Sequence, residues 1–457
     1  MSSATTAPDR QATQGLASLD PEALQSWWMP FTGNRYFKAH PRLITGGRGA
    51  YYTLADGRRV FDCLSGMWCT PLGHAHPGVV QAVQTQVQQL DFSPSFQMGH
   101  APAFELAAKI ATLAGRPRDR VFFVNSGSEA VDTALKVAIA YHRVRGEASR
   151  TRVIGRERAY HGVGLGGLSV GGIASVRKMF APLMVPGVDH LPHTYSREHM
   201  GFSRGQPEWG LHLADQLERL VSLHDASTIA AVIVEPVQGS TGVIVPPRGY
   251  LQRLREICTA HGILLIFDEV ITGFGRLGRP FAADFFGVQP DLFTFAKAVT
   301  NGVVPMGGVL VRADLYEAFM TGPPHAIEFS HGYTYSAHPL AVAAGHASLD
   351  ALVGEGMIES SARLAPVLER AVHSLRGEPR VLDVRNIGLC AAVDLEPAAG
   401  QPGLVGLRVF ERALDEGLLL RYSLDTIALA PPFISTEQQV ESMIEGLRRS
   451  LRALSVP

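Results

Sequence analysis

The chain has 457 residues, of which 46% are apolar and 18% are charged, so it is long enough for two or more folded domains with large buried cores. Its 41 basic residues balance its 42 acidic residues without a long run of either sign, which argues against a nucleic-acid-binding protein and favours small-molecule partners. No apolar stretch approaches the roughly 20 residues that a membrane-spanning helix needs, so a membrane protein is not expected.

The N-terminal region is polar at first and then rich in turns. Residues 1–18 lack the apolar core of a secretion signal and hold a single Arg, so they are predicted to form a disordered tail on a cytoplasmic protein. The region up to about residue 75 is rich in turns and aromatic side chains, and no long helix is predicted before Gly78. We expect this segment to pack on a second, smaller domain.

The middle of the chain has a pattern typical of a parallel sheet flanked by helices. Short, almost continuously apolar runs alternate with helix-like stretches, as expected for strands that are buried on both faces. The runs are residues 121–124, 229–234, 263–267, 292–295 and 308–311. Since ligands of open α/β sheets bind beyond the carboxyl ends of the strands, the chemistry is expected there.

The C-terminal region changes character after about residue 341. Amphipathic helices are predicted over residues 340–352 and 359–375, followed by short strands near residues 381–384 and 389–395. The sequence therefore predicts an α/β protein with a large, mostly parallel sheet domain and a smaller α+β domain that is built from both chain ends. The predicted division is residues 1–75, 76–340 and 341–457.

The cysteines and histidines do not follow a metal-binding or disulfide pattern. The four cysteines are Cys63, Cys69, Cys258 and Cys390. Their scattered spacing predicts reduced and mostly buried thiols. The sequence His74-Ala75-His76 lies between Gly73 and Pro77 without a cluster of carboxylates, so a turn is favoured over a metal pair and no metal is expected.

A turn between an apolar run and a helix-like stretch is the first candidate site. Ser126, Gly127 and Ser128 follow the run at residues 121–124. Backbone N–H groups at a helix N-terminus bind anions, Gly127 permits close approach, and the serines add hydroxyl donors, so a phosphate fits this turn. A capping box with Ser126 at the N-cap and Glu129 three residues later explains the same residues. The turn alone does not distinguish the two interpretations.

Two other predicted strand ends carry a charged residue in an apolar setting. Asp268 follows the run at residues 263–267, where a carboxylate either meets a cation, such as a protonated ring nitrogen, an Arg or a metal, or caps the next turn. Lys297 follows the run at residues 292–295, where burial would lower its pKa and so favour Schiff-base chemistry. A single lysine near a strand end is more often solvated, but here the phosphate-binding turn, the acid and the lysine belong to one predicted sheet.

Six ordered motifs resemble those of the class III aminotransferases of fold type I, and the resemblance covers about residues 27–447. The motifs are NSGSEA at 125–130, YHG at 160–162, EPVQGSTG at 235–242, FDEVITGFGR at 267–276, FAKAVTNG at 295–302 and GYTYSAHP at 332–339. The resemblance implies an aminotransferase that uses pyridoxal 5′-phosphate as its cofactor.

The same resemblance implies roles for individual residues. Lys297 would hold the cofactor through a Schiff base and then move the proton between the substrate Cα and the cofactor C4′, while Asp268 would keep the pyridine nitrogen protonated. Tyr160 would stack on the ring, and Thr334 would reach the phosphate of the neighbouring subunit's cofactor, which implies a homodimer with shared active sites. The other implied cofactor-binding residues are Ser126, Gly127, Ser128, Glu235 and Val270.

Three stretches resemble the subgroup that uses pyruvate as amino acceptor and ω-amino acids or amines as donors, above all the β-alanine–pyruvate aminotransferases. They are WWMPFTGNRYFKAHPRL at 27–43, GMWCTPLGHAHP at 66–77 and DFSPSFQMGH at 91–100. By this resemblance Trp68 would line the substrate pocket, with a buried structural aromatic as the alternative. Arg421 lies where the subgroup keeps its carboxylate-binding arginine, with a surface Arg at a strand end as the alternative.

One position departs from the pattern of the β-alanine enzymes. Around Ala428 they carry a Gln that helps to hold the substrate, and an alanine side chain makes no hydrogen bond. The change predicts a broader transaminase that also accepts apolar amines and forms L-alanine from pyruvate by a ping-pong mechanism through pyridoxamine phosphate. The alternative functions are those of an aminomutase or a decarboxylating transaminase of the same fold, or of a non-catalytic pyridoxal-phosphate-binding protein. The alternative to the dimer is a tetramer.

Overall fold

The computed structural model describes residues 20–454, so the predicted tail at residues 1–18 lies outside the described residues. The first elements are α1 (Pro21–Ser26), α2 (Asn34–Ala39), β1 (Ile44–Arg48), β2 (Tyr51–Leu54), β3 (Arg59–Asp62) and the single turn α3 (Ser65–Trp68). The first long helix begins at Pro77, one residue before the predicted limit at Gly78. No helix in the described part of the chain is long and apolar enough to cross a bilayer.

The central part of the chain alternates strands and helices. Its strands are β4 (Arg120–Val124), β5 (Arg152–Arg156), β6 (Val188–Leu191), β7 (Ile229–Val234), β8 (Leu264–Asp268), β9 (Leu292–Phe295) and β10 (Gly307–Val311). Its helices are α4 (Pro77–Gln89), α5 (Ala101–Leu113), α6 (Gly127–Val144), α7 (Leu165–Val170), α8 (Ala174–Phe180), α9 (Arg197–Met200), α10 (Gln216–His224), α11 (Tyr250–Ala260), α12 (Ala282–Phe286) and α13 (Ala313–Phe319). Short 3₁₀ helices cover Ala181–Leu183, Leu211–Asp215, Ala226–Thr228 and Lys297–Thr300.

The seven central strands form one sheet in the order β4-β10-β9-β8-β7-β5-β6. The strands from β9 to β6 are parallel, whereas β10 is antiparallel to both β4 and β9. The predicted α/β class with a mostly parallel sheet is therefore confirmed, and each of the five strands predicted for this sheet is present within one residue of its expected ends. The apolar pattern does not predict β5 and β6, because β5 has an arginine at each end and only three residues between them, and β6 contains Asp189 and His190.

The central strands are buried on both faces, which holds their carboxyl ends in place. All six residues of β7 are buried. Ala231 and Ile233 pack into the apolar cluster that contains one side of α6, whereas Val232 and Val234 pack into the main core on the opposite face. The alternation of side chains along a strand explains this division, and burial on both sides explains why the run lacks polar residues.

The C-terminal part contains a second, antiparallel sheet. Its helices are α14 (Pro339–Gly354), α15 (Met357–His373), α16 (Leu404–Asp415) and α17 (Glu437–Ala453). Its strands are β11 (Val381–Ile387), β12 (Cys390–Leu395), β13 (Leu418–Leu419), β14 (Arg421–Ser423) and β15 (Thr426–Leu429). The sheet has the order β11-β12-β15-β14, and β13 pairs instead with β3 from the N-terminal region. The domain boundaries after residues 75 and 340 stay predictions.

Candidate active site

The carboxyl ends of the large-sheet strands surround a cavity of about 330 Å³. Its wall includes most of the residues that the sequence predicts for cofactor binding, namely Ser126, Gly127, Ser128, Tyr160, Glu235, Asp268, Val270 and Lys297. These residues follow β4, β5, β7, β8 and β9, so five strands bring together positions that are far apart in sequence. The position of the cavity agrees with the rule for open α/β sheets.

The turn before α6 has the features of an anion-binding site. Ser126 is the N-cap of α6, and its Oγ accepts a hydrogen bond from the N–H of Glu129 at 3.1 Å. Within residues 20–454 the N–H groups of Gly127 and Ser128 have no acceptor. A Cβ on Gly127 would crowd the methyl carbons of Val270 at 3.1 Å. The capping interaction and an anion site are compatible, because they use different N–H groups.

Asp268 is the last residue of β8 and is buried. Its Oδ2 lies 2.8 Å from Nδ1 of His161, and its Oδ1 accepts from the N–H of Val270 at 3.1 Å and from Oγ1 of Thr294 at 3.2 Å. The bond from Val270 is the turn-capping contact that the sequence left open as an alternative. These donors offset only part of the cost of burying a carboxylate, and a cation in the cavity would offset more of it.

His161 is a site residue that the sequence does not indicate. Its side chain is fully buried against Asp268, and its Nε2 has no hydrogen-bond partner in the described part of the chain. The YHG motif at residues 160–162 contains this histidine, but nothing in the local pattern separates it from an ordinary buried histidine. The structure shows that it orients the acid, because its ring contacts one carboxylate oxygen directly.

Lys297 begins the 3₁₀ helix Lys297–Thr300 with a φ of 51°, in the left-handed region. This conformation is uncommon for a residue with a side chain and is more frequent at functional sites. Burial lowers the pKa of Lys297, whereas the nearby Cys69, Asp268 and Glu235 raise it. A lowered pKa leaves more of the amine in the uncharged form, which is the nucleophilic and basic form.

Glu235 anchors the segment that carries Tyr160. Its carboxylate accepts from the N–H of Tyr160 at 2.9 Å and from the N–H of Gly239 at 3.1 Å. Burial raises the pKa of Glu235 to about 7, while His161 opposes that change. The ring of Phe31 packs edge-on against the ring of Tyr160, with the centroids 6.3 Å apart. Glu235 therefore positions Tyr160 through the backbone at the wall of the cavity.

Three predicted site residues do not line this cavity. Trp68 is only 3% exposed and belongs to the core, where the alternative interpretation places it, so its contact with substrate stays a prediction. Thr334 is exposed, and its predicted ligand belongs to a second subunit. Arg421 lies in β14, and its Nη1 donates to Sδ of Met67 at 3.2 Å. Its charge is close enough to contribute to lowering the pKa of Lys297.

Arg421 lies directly opposite Ala428 in the antiparallel pair of β14 and β15. Residues opposite each other in such a pair project from the same face of the sheet. The position that departs from the β-alanine enzymes is therefore next to the predicted carboxylate-binding arginine. An alanine there adds a methyl group and no polar atom.

The residues around the cavity fit pyridoxal phosphate, the cofactor that the motifs imply. The unpaired N–H groups of Gly127 and Ser128 suit a phosphate, and the buried carboxylate of Asp268 suits a protonated ring nitrogen. Lys297 supplies an amine for an aldehyde, and Tyr160 and Val270 supply an aromatic and an aliphatic wall. The charges and hydrogen-bonding groups of the site thus match the chemical groups of this cofactor.

Metal ligands are not grouped in residues 20–454, where no three His, Cys, Asp or Glu side chains are placed to hold an ion. Nε2 of His74 lies 2.8 Å from Oδ2 of Asp62. The cysteines are all free, and three of them are buried as predicted, namely Cys63, Cys258 and Cys390. The fourth, Cys69, is partly exposed and lines the cavity beside Lys297, a position that its sequence context does not indicate.

Comparisons with known proteins agree with this geometry. The family model "Aminotransferase class-III" matches residues 33–451. The chain is 53% identical to the omega-aminotransferase of Caulobacter vibrioides, over 94% of this chain and 97% of that protein. It is 48% identical to the beta-alanine–pyruvate aminotransferase of Pseudomonas aeruginosa, over 94% and 96%. The crystal structure of the omega transaminase from Pseudomonas jessenii in complex with PMP matches with a TM-score of 0.89 at 31% identity, over 96% of this chain and 98% of that chain.

Proposed function

The chain belongs to the class III aminotransferases, which are pyridoxal-phosphate enzymes, and on this premise we propose that it transfers the amino group of an ω-amino acid or a primary amine to pyruvate. The observation that carries this choice of substrates is Arg421, whose guanidinium has no carboxylate partner within residues 20–454. A guanidinium binds a carboxylate through two parallel hydrogen bonds, so it can receive pyruvate or the acid group of an ω-amino acid.

Four residues of the cavity have a defined task in this reaction. Pyridoxal phosphate, when bound, supplies an aldehyde that receives the amino group and a ring that stabilises negative charge, and it keeps the amino group between the two half-reactions of a ping-pong mechanism. Lys297 removes the proton from the carbon that bears the donor amino group, as its lowered pKa allows. Asp268 holds the ring-nitrogen proton, and Gly127 and Ser128 bind the phosphate.

Ala428 favours a broad range of donors. It is buried opposite Arg421 and offers a methyl group and no polar atom, so a carboxylate bound by the arginine has no amide partner at this position. An enzyme with this pair accepts an acid through the arginine and an apolar amine beside the alanine. The donor range is therefore expected to include arylalkylamines as well as β-alanine.

A donor panel tests the proposed function. With pyruvate and 1-phenylethylamine, the holoenzyme is expected to form alanine and ketone in equal amounts and to release no carbon dioxide. An aminomutase or a decarboxylating transaminase would not give this result.

The variant Ala428→Gln is expected to raise kcat/KM for β-alanine by about threefold to tenfold, the value of one added hydrogen bond. A strong preference of the unmodified enzyme for β-alanine over 1-phenylethylamine would contradict the broad donor range. The same panel is run with 2-oxoglutarate in place of pyruvate to compare the two acceptors.

We also propose a homodimer in which Thr334 completes the active site of the partner. Thr334 is exposed and lies beside Tyr335, whose ring packs on Phe92 with the centroids 5.9 Å apart. Tyr335, Phe96 and Met98 are each more than half exposed. A group of exposed apolar side chains is typical of a surface that binds another protein. The partner that the resemblance implies is a second copy of this chain.

Mixing two inactive variants tests the shared site. Lys297→Ala disables a subunit's own site, and Thr334→Ala is expected to weaken cofactor binding in the partner's site. Unfolding and refolding an equal mixture should restore about a quarter of the wild-type activity at limiting cofactor, because half of the dimers are hybrids with one intact site. Activity equal to the sum of the two separate variants would contradict this arrangement.

A further inference from the structure

We infer that Met67 is a positioning residue that holds Arg421 ready for a substrate carboxylate, an inference that rests on the proposed function. Sδ of Met67 lies 3.2 Å from Nη1 of Arg421. Within residues 20–454 the guanidinium donates to no carboxylate, carbonyl or hydroxyl oxygen. The thioether is therefore its one hydrogen-bond acceptor in that part of the chain.

The backbone around Met67 is unusual in a way that supports this role. Ser65, Gly66, Met67 and Trp68 all have positive φ values, 47°, 53°, 69° and 63°. Successive left-handed residues with side chains are strongly disfavoured, and they persist only where the surroundings determine them. The turn α3 therefore has a fixed shape, and Met67 is its one exposed side chain, with 44% of its surface accessible.

Buried hydrogen bonds impose that shape. Oδ2 of Asp62 accepts from the N–H of Gly66 at 2.6 Å, and Oγ of Ser65 donates to the carbonyl of Ala430 at 2.7 Å. Nη2 of Arg276 donates to the same Oγ at 3.0 Å, and both Ser65 and Arg276 are buried. The turn that carries Met67 is thus tied to the residue that follows β15.

Arg421 is positioned from the same strand. It pairs with Ala428 of β15 across the antiparallel ladder. The backbone segments that carry the sulfur and the guanidinium are therefore anchored next to each other, one at Ala430 just after β15 and the other at Ala428 within it. The fold therefore places the thioether and the guanidinium side by side.

The chemistry of a thioether suits this task. It is a weak, uncharged acceptor, so it directs the guanidinium without neutralising it. A carboxylate forms a stronger, charge-assisted bond and gains from a guanidinium that is already ordered. An Asp or Glu in place of Met67 would compete with the substrate, whereas a purely apolar residue would leave Arg421 free to move into solvent.

Two variants of the holoenzyme test the inference. Met67→Leu removes the acceptor, and Met67→Gln restores an oxygen acceptor on an unbranched side chain. Both side chains are unbranched at Cβ, so they make the same demand on the left-handed backbone. In Met67→Leu the Kd of propionate, a carboxylate without an amino group, is expected to rise about threefold to tenfold. The ratio of kcat/KM for pyruvate to that for 1-phenylethylamine should fall by a similar factor, and Met67→Gln should restore both.

The outcomes separate the two proposals. An unchanged propionate Kd in Met67→Leu, an equal change for pyruvate and 1-phenylethylamine, or a Gln variant that behaves like the Leu variant would each overturn the role of Met67. Wild-type enzyme that forms no alanine from pyruvate with any donor would instead contradict the proposed function. Propionate binding is measured without turnover, so it reports on Arg421 in either case.

Discussion

Replacing Lys297 with alanine is expected to lower kcat for amino transfer by about 10⁴-fold, the upper range for removing a general base that also acts as the covalent anchor. Lys297 is the one lysine in the wall of the cavity. Burial lowers its pKa, so more of the amine is in the uncharged form that can act as a base. The production of alanine from pyruvate measures the loss.

A second measurement shows whether Lys297 binds the cofactor covalently. Borohydride reduction followed by peptide mass spectrometry should find the cofactor on the Lys297 peptide of the wild type and on no peptide of Lys297→Ala. Lys109→Ala is the control, because Lys109 pairs with Asp350 and neither residue is part of the cavity wall. Added methylamine should restore part of the lost activity, since the missing group is an amine. A variant that keeps about a tenth of the wild-type kcat would contradict this role of Lys297.

The main parts of the fold and of the cavity follow from short-range patterns. β7, β8 and β9 are buried on both faces, so their apolar sequences are continuous and easily identified. The residues that follow such strands lie at one edge of the sheet, which is why Asp268 and Lys297 can be placed together from the sequence. The same reasoning fails for β5, because Arg152 and the buried Arg156 bound it and leave only three residues between them.

The contacts that orient the charged groups could not be predicted in this way. His161 and Asp268 are 107 residues apart in the chain, and Met67 and Arg421 are 354 residues apart. Their meeting depends on how whole elements pack, which the sequence around each residue does not indicate. Even the resemblance to the family assigns Arg421 a function without indicating the sulfur that holds it.

Trp68 shows a different limit of sequence patterns. The resemblance to the subgroup assigns Trp68 to the substrate pocket, and that role stays a prediction. The sequence does not indicate its φ of 63° or the hydrogen-bonded turn around it, which accompany a side chain packed in the core. Positive φ values at residues other than glycine are rarely indicated by sequence, because the favoured conformations of these residues lie elsewhere. Thr334 needs a second subunit, so one chain alone cannot complete its environment.

Replacing Asp268 with asparagine is expected to lower kcat by about 10²-fold to 10³-fold, the range for losing one preorganised electrostatic group. The amide keeps the size of the carboxylate, and its oxygen can still accept from His161 or Thr294, so the fold should be retained. What disappears is the negative charge that holds a proton on the ring nitrogen, and with it the stabilisation of the charge that develops when the substrate proton leaves. KM is expected to change less than kcat, because the charge acts on the ring nitrogen of the cofactor and not on a substrate-binding group.

The pH dependence of cofactor capture supplies a second readout with a definite sign. The charge of Asp268 raises the pKa of Lys297, so its removal in Asp268→Asn should lower that pKa further. The cofactor-free variant should therefore react with pyridoxal phosphate at a lower pH than the cofactor-free wild type. Thr294→Val is the matched control, because it removes one donor to Asp268 and keeps the charge, and its kcat should fall less than about tenfold. Equal losses in the two variants, or a profile displaced to higher pH, would show that the charge of Asp268 is not what the reaction requires.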